Sequence, residues 1–208
     1  MVDKGEKIII GTYDVKSQKN NRYVFKNNDV ENKGYHTTFK VKIEEIKKDG
    51  FISSESEQEW LGKGIYFWAE KKDSFFWSKV IKDRNTKADK EKKIKPDDTI
   101  IITCLIKCKN YEFIDLNKDM NVLEEFRIQY LDEMRGKADF LPKFKNDHER
   151  KCFYCNEFKS SNNIKVISYS FPYIERNELG FKKYYTRRQI CVESMRYIKI
   201  EDIEVCQS

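Results

Sequence analysis

Three short stretches hold residues that could do chemistry together. Tyr35-His36-Thr37-Thr38 carries one of only two histidines in the chain, and imidazole changes charge near neutral pH. Gly62-Lys63-Gly64-Ile65-Tyr66-Phe67 sets a glycine turn before an aromatic run, with Ser74 and Trp77 following. Gln189-Ile190-Cys191-Val192-Glu193 supplies an amide and a carboxylate late in the chain. Each stretch alone also has a plain structural reading: a satisfied strand histidine, an aromatic core segment, a polar residue on a strand.

Two further clusters invite a functional reading. "GFKKYYTRRQ" places Lys182, Lys183, Arg187 and Arg188 around Tyr184 and Tyr185. Cations beside aromatic rings suit a nucleic acid, whose phosphates meet the charges while its bases stack on the rings. An ordinary exposed loop with tyrosines packed beneath it fits the same residues. Cys152-Phe-Tyr-Cys155 has metal-ligand spacing, with His148 upstream. Zinc wants four ligands, and a second close pair is missing, so ordinary reduced cysteines and no metal are the expectation.

The elements that must position these groups follow from periodicity. Residues 7–14, 22–26 and 34–38 read as strands. Thr38 could cap a helix over Phe39 to Lys48, ended by Asp49-Gly50. "GIYFW" reads as a strand entered from the glycine turn, and Asp73 or Ser74 could cap a helix to about Lys82. The polar run 82–95 reads as a long exposed loop. Strands are expected over 98–108, 111–116, 163–171 and 188–200, and a helix over 121–134, where Val122, Phe126, Tyr130 and Met134 recur at helical spacing. Strands that do not alternate with helices give an α+β class.

The 208 residues suit a single domain, 1–208, large enough for a real core. Charged residues make up 37%, well above the ~25% of an average chain, so the surface is densely ionic. The net charge of +6 permits an anionic partner without demanding one. No run approaches the ~20 apolar residues of a membrane span. Ile8-Ile9-Ile10 is too short for a secretory signal, so a cytoplasmic location is expected.

In their order, the three stretches resemble the ADP-ribosyltransferase fold, in the His-Tyr-Glu branch of poly(ADP-ribose) polymerases and diphtheria-type toxins. The resemblance runs from about Tyr35 to Ile198 in three islands, and the Gly-Lys-Gly-Ile-Tyr-Phe run is its specific part. It implies split antiparallel sheets around an NAD-binding cleft with flanking helices, and NAD as co-substrate. It implies that Tyr66 and Trp77 sandwich the nicotinamide, that Ser74 and the backbone at Thr37 hold its carboxamide, and that His36 bonds a ribose hydroxyl. Thr38 and Gly64 would line the same cofactor site. His36, Tyr66 and a residue of the late strand would form the catalytic set.

That late strand departs from the family pattern. Register puts Gln189 where the family has glutamate; charge chemistry favours Glu193, ~13 Å further along a strand. Glutamine can orient a ribose 2′-hydroxyl but cannot act as a base. The resemblance therefore implies a mono-ADP-ribosyltransferase of the toxin or defence-effector type, with a nucleic acid or protein as acceptor, Lys182, Lys183, Tyr184, Tyr185, Arg187 and Arg188 as its binding segment, and an antitoxin protein as a partner. An NAD glycohydrolase or ADP-ribose-binding member is the alternative. A basic nucleic-acid-binding module whose aromatic stretch is only core is a third reading.

Overall fold

A computed structural model describes residues 28–88, 98–135, 142–176 and 178–206. Seven strands and four helices follow in the order β1 (Asp29–Phe39), α1 (Ile43–Asp49), β2 (Ile65–Trp68), α2 (Lys71–Ala88), β3 (Thr99–Lys109), β4 (Phe113–Asp115), α3 (Met120–Glu133), α4 (Asp147–Asn162), β5 (Val166–Arg176), β6 (Lys182–Val192) and β7 (Ile198–Val205). The class is α+β.

The strands form one sheet in the order β4-β5-β6-β2-β1-β3-β7. All neighbours are antiparallel except β4 and β5. β1 and β3 pair along their full lengths, whereas β1 meets β2 at a single registered pair, Tyr35 opposite Trp68. The sheet thus consists of two firmly laddered halves joined at one narrow point.

Two apolar clusters hold the halves in place. Ile100, Ile102 and Ile106 of β3 join Ile65, Phe67, Ile190, Val192, Ile46 and Phe51 in the first. Each fully buried isoleucine there contributes about 1.5–3 kcal/mol relative to exposure. The second gathers Leu61, Ile114, Ile167 and Cys191 with Cys155 and Phe158 of α4. β2 serves both: Ile65 and Phe67 enter the first cluster and Tyr66 packs on the second, as alternation along a strand requires.

Several local expectations change. No helix begins at Phe39; β1 continues through it, and Thr38 pairs with Ile100 instead of capping. A 3-10 turn over Lys40–Lys42 precedes the short α1, which ends at Gly50 as expected. The run after Lys82 is helical as far as Ala88: it holds neither glycine nor proline, the residues that cost a helix most, so polarity alone did not mark a loop. Residues 89–95 of that expected loop lie outside the described residues, as do the strands expected at 7–14 and 22–26.

Near the C-terminus, the strand expected over 188–200 is two, β6 and β7, separated by a 3-10 turn at Met195–Tyr197. "KKYYTRR" is part of β6 and not a loop. Helix α4 was not anticipated. Its start is capped by Asn146, whose side chain accepts from the Glu149 N–H, and its end by Asn163 in the left-handed region. Asn-x-x-Glu and a terminal Asn are the sequence signals for such ends.

Candidate functional site

The narrow point of the sheet is tied by side chains from two elements, β1 and α2. His36 Nδ1 lies 2.9 Å from the Tyr66 carbonyl, which can only accept, so Nδ1 carries the proton. Ser74 Oγ donates to the Tyr35 carbonyl (3.2 Å), and Thr37 Oγ1 donates to the Ser74 carbonyl (3.0 Å). β1, β2 and α2 are thereby fixed to one another. The His36 ring also packs edge-on against Phe51 and Phe67. Burial lowers its pKa below the ordinary 6.5, with the Tyr66 bond opposing. The ring is held neutral, with Nε2 as a free acceptor.

Tyr66 is half-buried. Its hydroxyl donates to the Gly62 carbonyl (2.6 Å) and accepts from the Leu61 N–H (2.9 Å). Burial pushes its pKa up, so it stays protonated at any ordinary pH. The phenol closes the 61–66 turn while its ring lies on the second cluster. Trp77, expected opposite it, is set against Trp68 with 5.8 Å between ring centroids.

Gln189 lies directly opposite Trp68 on one side and Tyr169 on the other. It is half-buried, and its amide makes no hydrogen bond to the other described residues. Two register steps on, Tyr66 lies opposite Cys191. By period-two alternation, Tyr66, Trp68 and Gln189 share a face, and Trp77 reaches that face from α2. Glu193 lies beyond β6 and pairs with Lys165 at 2.7 Å. The structure gathers Gln189 with the aromatics and leaves Glu193 in an ion pair at the strand's end.

A buried charged group borders this face. Arg187 meets Asp73 of α2 at 2.8 Å, and its guanidinium lies 3.6 Å from the Phe76 ring centroid and 4.5 Å from that of Tyr173. Asp73 Oδ2 and Arg187 Nε are buried without partners. Burial raises the Asp73 pKa, and the Arg187 charge offsets part of this. Asp73, Trp68 and Tyr169 were not among the expected site residues. Trp68 was within reach, because it stands two positions after Tyr66 on one strand.

Other expected site residues have structural work. Ser74 is fully buried and Thr37 nearly so; with hydroxyls bonded to backbone carbonyls, they position α2. Thr38 sits in the β1–β3 ladder. Gly64 does not open onto a cleft: a Cβ there would come within 2.5 Å of Cys191 Sγ and 2.8 Å of the Val192 carbonyl. Arg188 is held by Asp115 (3.0 Å) and Ser168 Oγ (2.8 Å), which removes it from acceptor binding. Lys183 lies over its neighbour Tyr185, whereas Lys182 and Tyr184 are exposed.

Cys152 and Cys155 lie within α4, both buried, with their thiols near the Ser56 and Trp60 carbonyls. Burial pushes the Cys155 thiol to about 12. His148 packs against Trp60 instead, and among the described residues no three metal-ligating groups converge. A groove of about 710 Å³ with a mixed lining runs between α4, the 142–144 segment and the 53–63 segment, bordered by Lys63, Phe144, Lys159, Lys165 and Glu193. No described helix is long and apolar enough to cross a membrane. Comparison with protein families, curated proteins and solved structures finds no match.

Proposed function

We propose that the chain is an NAD-dependent mono-ADP-ribosyltransferase. The observation that carries this reading is the junction of β1, β2 and α2. A neutral histidine with a free Nε2 is fixed to the Tyr66 peptide, one registered pair joins the two half-sheets, and an unengaged glutamine stands beside them on the neighbouring strand. The resemblance in sequence between the three stretches and the His-Tyr-Glu transferases supports the same reading.

In this reading His36, which packs with Phe51 and Phe67 on the opposite face of the sheet, is a positioning residue that fixes the Tyr66 peptide. The nicotinamide lies on the aromatic face of Tyr66, Trp68 and Trp77, and Ser74 acts as a positioning residue. The Gln189 amide orients the second ribose through its 2′-hydroxyl. The bond from C1′ to the nicotinamide nitrogen breaks, and its electron pair leaves with neutral nicotinamide. The ribosyl centre then has oxocarbenium character. An acceptor O–H or N–H attacks C1′ and releases its proton to solvent. Gln189 supplies geometry without charge, which suits a single transfer.

The uncharged Gln189 also favours a second reading, NAD hydrolysis with water as the acceptor. Incubation of a lysate with the protein and NAD labelled in the adenylate separates the two. Transfer predicts label on a macromolecule; hydrolysis predicts free ADP-ribose alone. Tyr66→Ala is expected to abolish NAD consumption with far-ultraviolet circular dichroism unchanged. Undiminished consumption by that variant would overturn the site.

A further inference from the structure

β5 and β6 run on beyond the sheet as a two-stranded ribbon. β4 accompanies β5 only over Val166–Ser168, and β2 accompanies β6 only over Gln189–Val192. From Phe171 and Arg187 outward the two strands have only each other as strand partners among the described residues, in unbroken register to Arg176 opposite Lys182. One face of the ribbon turns inward: Arg187 and Tyr173 meet Phe76 of α2. The other carries the rows Pro172–Thr186, Ile174–Tyr184 and Arg176–Lys182.

That outward face has an unusual make-up. Arg176 and Lys182 stand directly opposite each other, and among the described residues neither has an ion-pair partner. Like charges directly opposite on a ladder destabilise it, and here no described acidic side chain relieves them. Glu175 points to the inward face, opposite Lys183, and Glu178 in the connecting turn makes no ion pair with a described residue. The adjacent row leaves Tyr184 70% exposed and Ile174 50% exposed. Two unrelieved cations lie about 7 Å, two residues of strand rise, from a bare aromatic ring.

We infer that this outward face binds a single-stranded nucleic acid, with a phosphate between Arg176 and Lys182 and an unpaired base on Tyr184. A duplex hides its base faces, so an exposed ring favours a single strand. The acceptor role of that strand rests on the transferase reading. Tyr184 lies five residues from Gln189, about 17 Å along β6. The edge of β6 beyond Arg188 is unpaired on the β2 side among the described residues, so a bound strand can cross that edge towards the face that holds Gln189. Arg187 and Arg188 take no part, since Asp73 and Asp115 hold them.

The test is fluorescence anisotropy of the full chain with labelled single-stranded RNA and DNA oligonucleotides, with a duplex of the same sequence for comparison. The wild type is expected to prefer the single strands. The double variant Arg176→Ser, Lys182→Ser should lower the slope of log affinity against log salt by about 0.7, the value for the one phosphate that the two cations share. Tyr184→Ala should weaken binding about tenfold with the slope unchanged. Binding that none of these variants alters overturns the inference, as does a wild type that binds no oligonucleotide or label that transfers to protein alone. No NAD consumption by a chain whose oligonucleotide binding follows these expectations overturns the transferase reading and confirms the ribbon as a binding surface.

Discussion

The β5–β6 hairpin has a root and a tip built from the same residue types, and the two ends behave in opposite ways. At the root, Arg187 and Arg188 turn to opposite faces of one strand. Each finds a buried or nearly buried carboxylate, Asp73 at 2.8 Å and Asp115 at 3.0 Å. At the tip, Arg176 and Lys182 face each other, and neither makes an ion pair among the described residues. In this hairpin, Arg187 and Arg188 are structural because neighbouring elements cover them with a carboxylate, whereas Arg176 and Lys182 lie where no element covers them. Residue type does not distinguish the two ends; what packs against the strand does.

The sharpest way to break the root is Gly64→Ala. Gly64 has φ of 155°, and a methyl group would press on the β6 backbone at Val192. Backbone strain and overpacking together should cost about 4 kcal/mol or more, read as loss of the cooperative thermal transition. Asp73→Ala comes next. It leaves the Arg187 guanidinium buried without a counter-charge, at about 3 kcal/mol, and denaturant titration should show the shift. Tyr66→Phe removes the hydroxyl that bridges Gly62 and Leu61 and should cost about 1–2 kcal/mol, with the fold kept.

A smaller effect follows from His36. Burial holds its pKa below 6.5, so the unfolded chain takes up the proton first as the pH falls. Its contribution is complete above pH 6.5 and is lost as acidification passes through the folded-state value. His36→Asn should flatten the pH dependence of the melting temperature over that interval. The tip should show the least of all: Arg176→Ser and Lys182→Ser should leave the melting temperature unchanged or raise it slightly, since they relieve a like-charge pair. A drop equal to that of Asp73→Ala would erase the contrast between root and tip.

Much of the central architecture was legible because it follows alternation. Ile100-Ile101-Ile102 announced a buried strand, and "GIYFW" gave both its strand and its entry turn. Glycine at 64 was legible as a turn, but not as a close approach to Cys191 and Val192, which depends on a strand more than 120 residues away. The fates of Arg187 and Arg188 were illegible for the same reason: Asp73 and Asp115 are remote in sequence. Ser74 looked like a ligand contact, yet it is fully buried and bonded to the Tyr35 carbonyl. The helix to Ala88 was missed because a polar stretch free of glycine and proline resembles a loop in composition alone.

The choice between Gln189 and Glu193 was open in the sequence, and the structure separates their surroundings. Gln189 stands between Trp68 and Tyr169 with its amide unengaged, while Glu193 is paired with Lys165. The most direct measurement is nicotinamide release from NAD by the wild type, Gln189→Ala and Glu193→Ala at equal concentration. The account predicts release by the wild type, a fall of about a hundredfold for Gln189→Ala, and a change of no more than about twofold for Glu193→Ala. No release by the folded wild type, or the larger loss in Glu193→Ala, would contradict it.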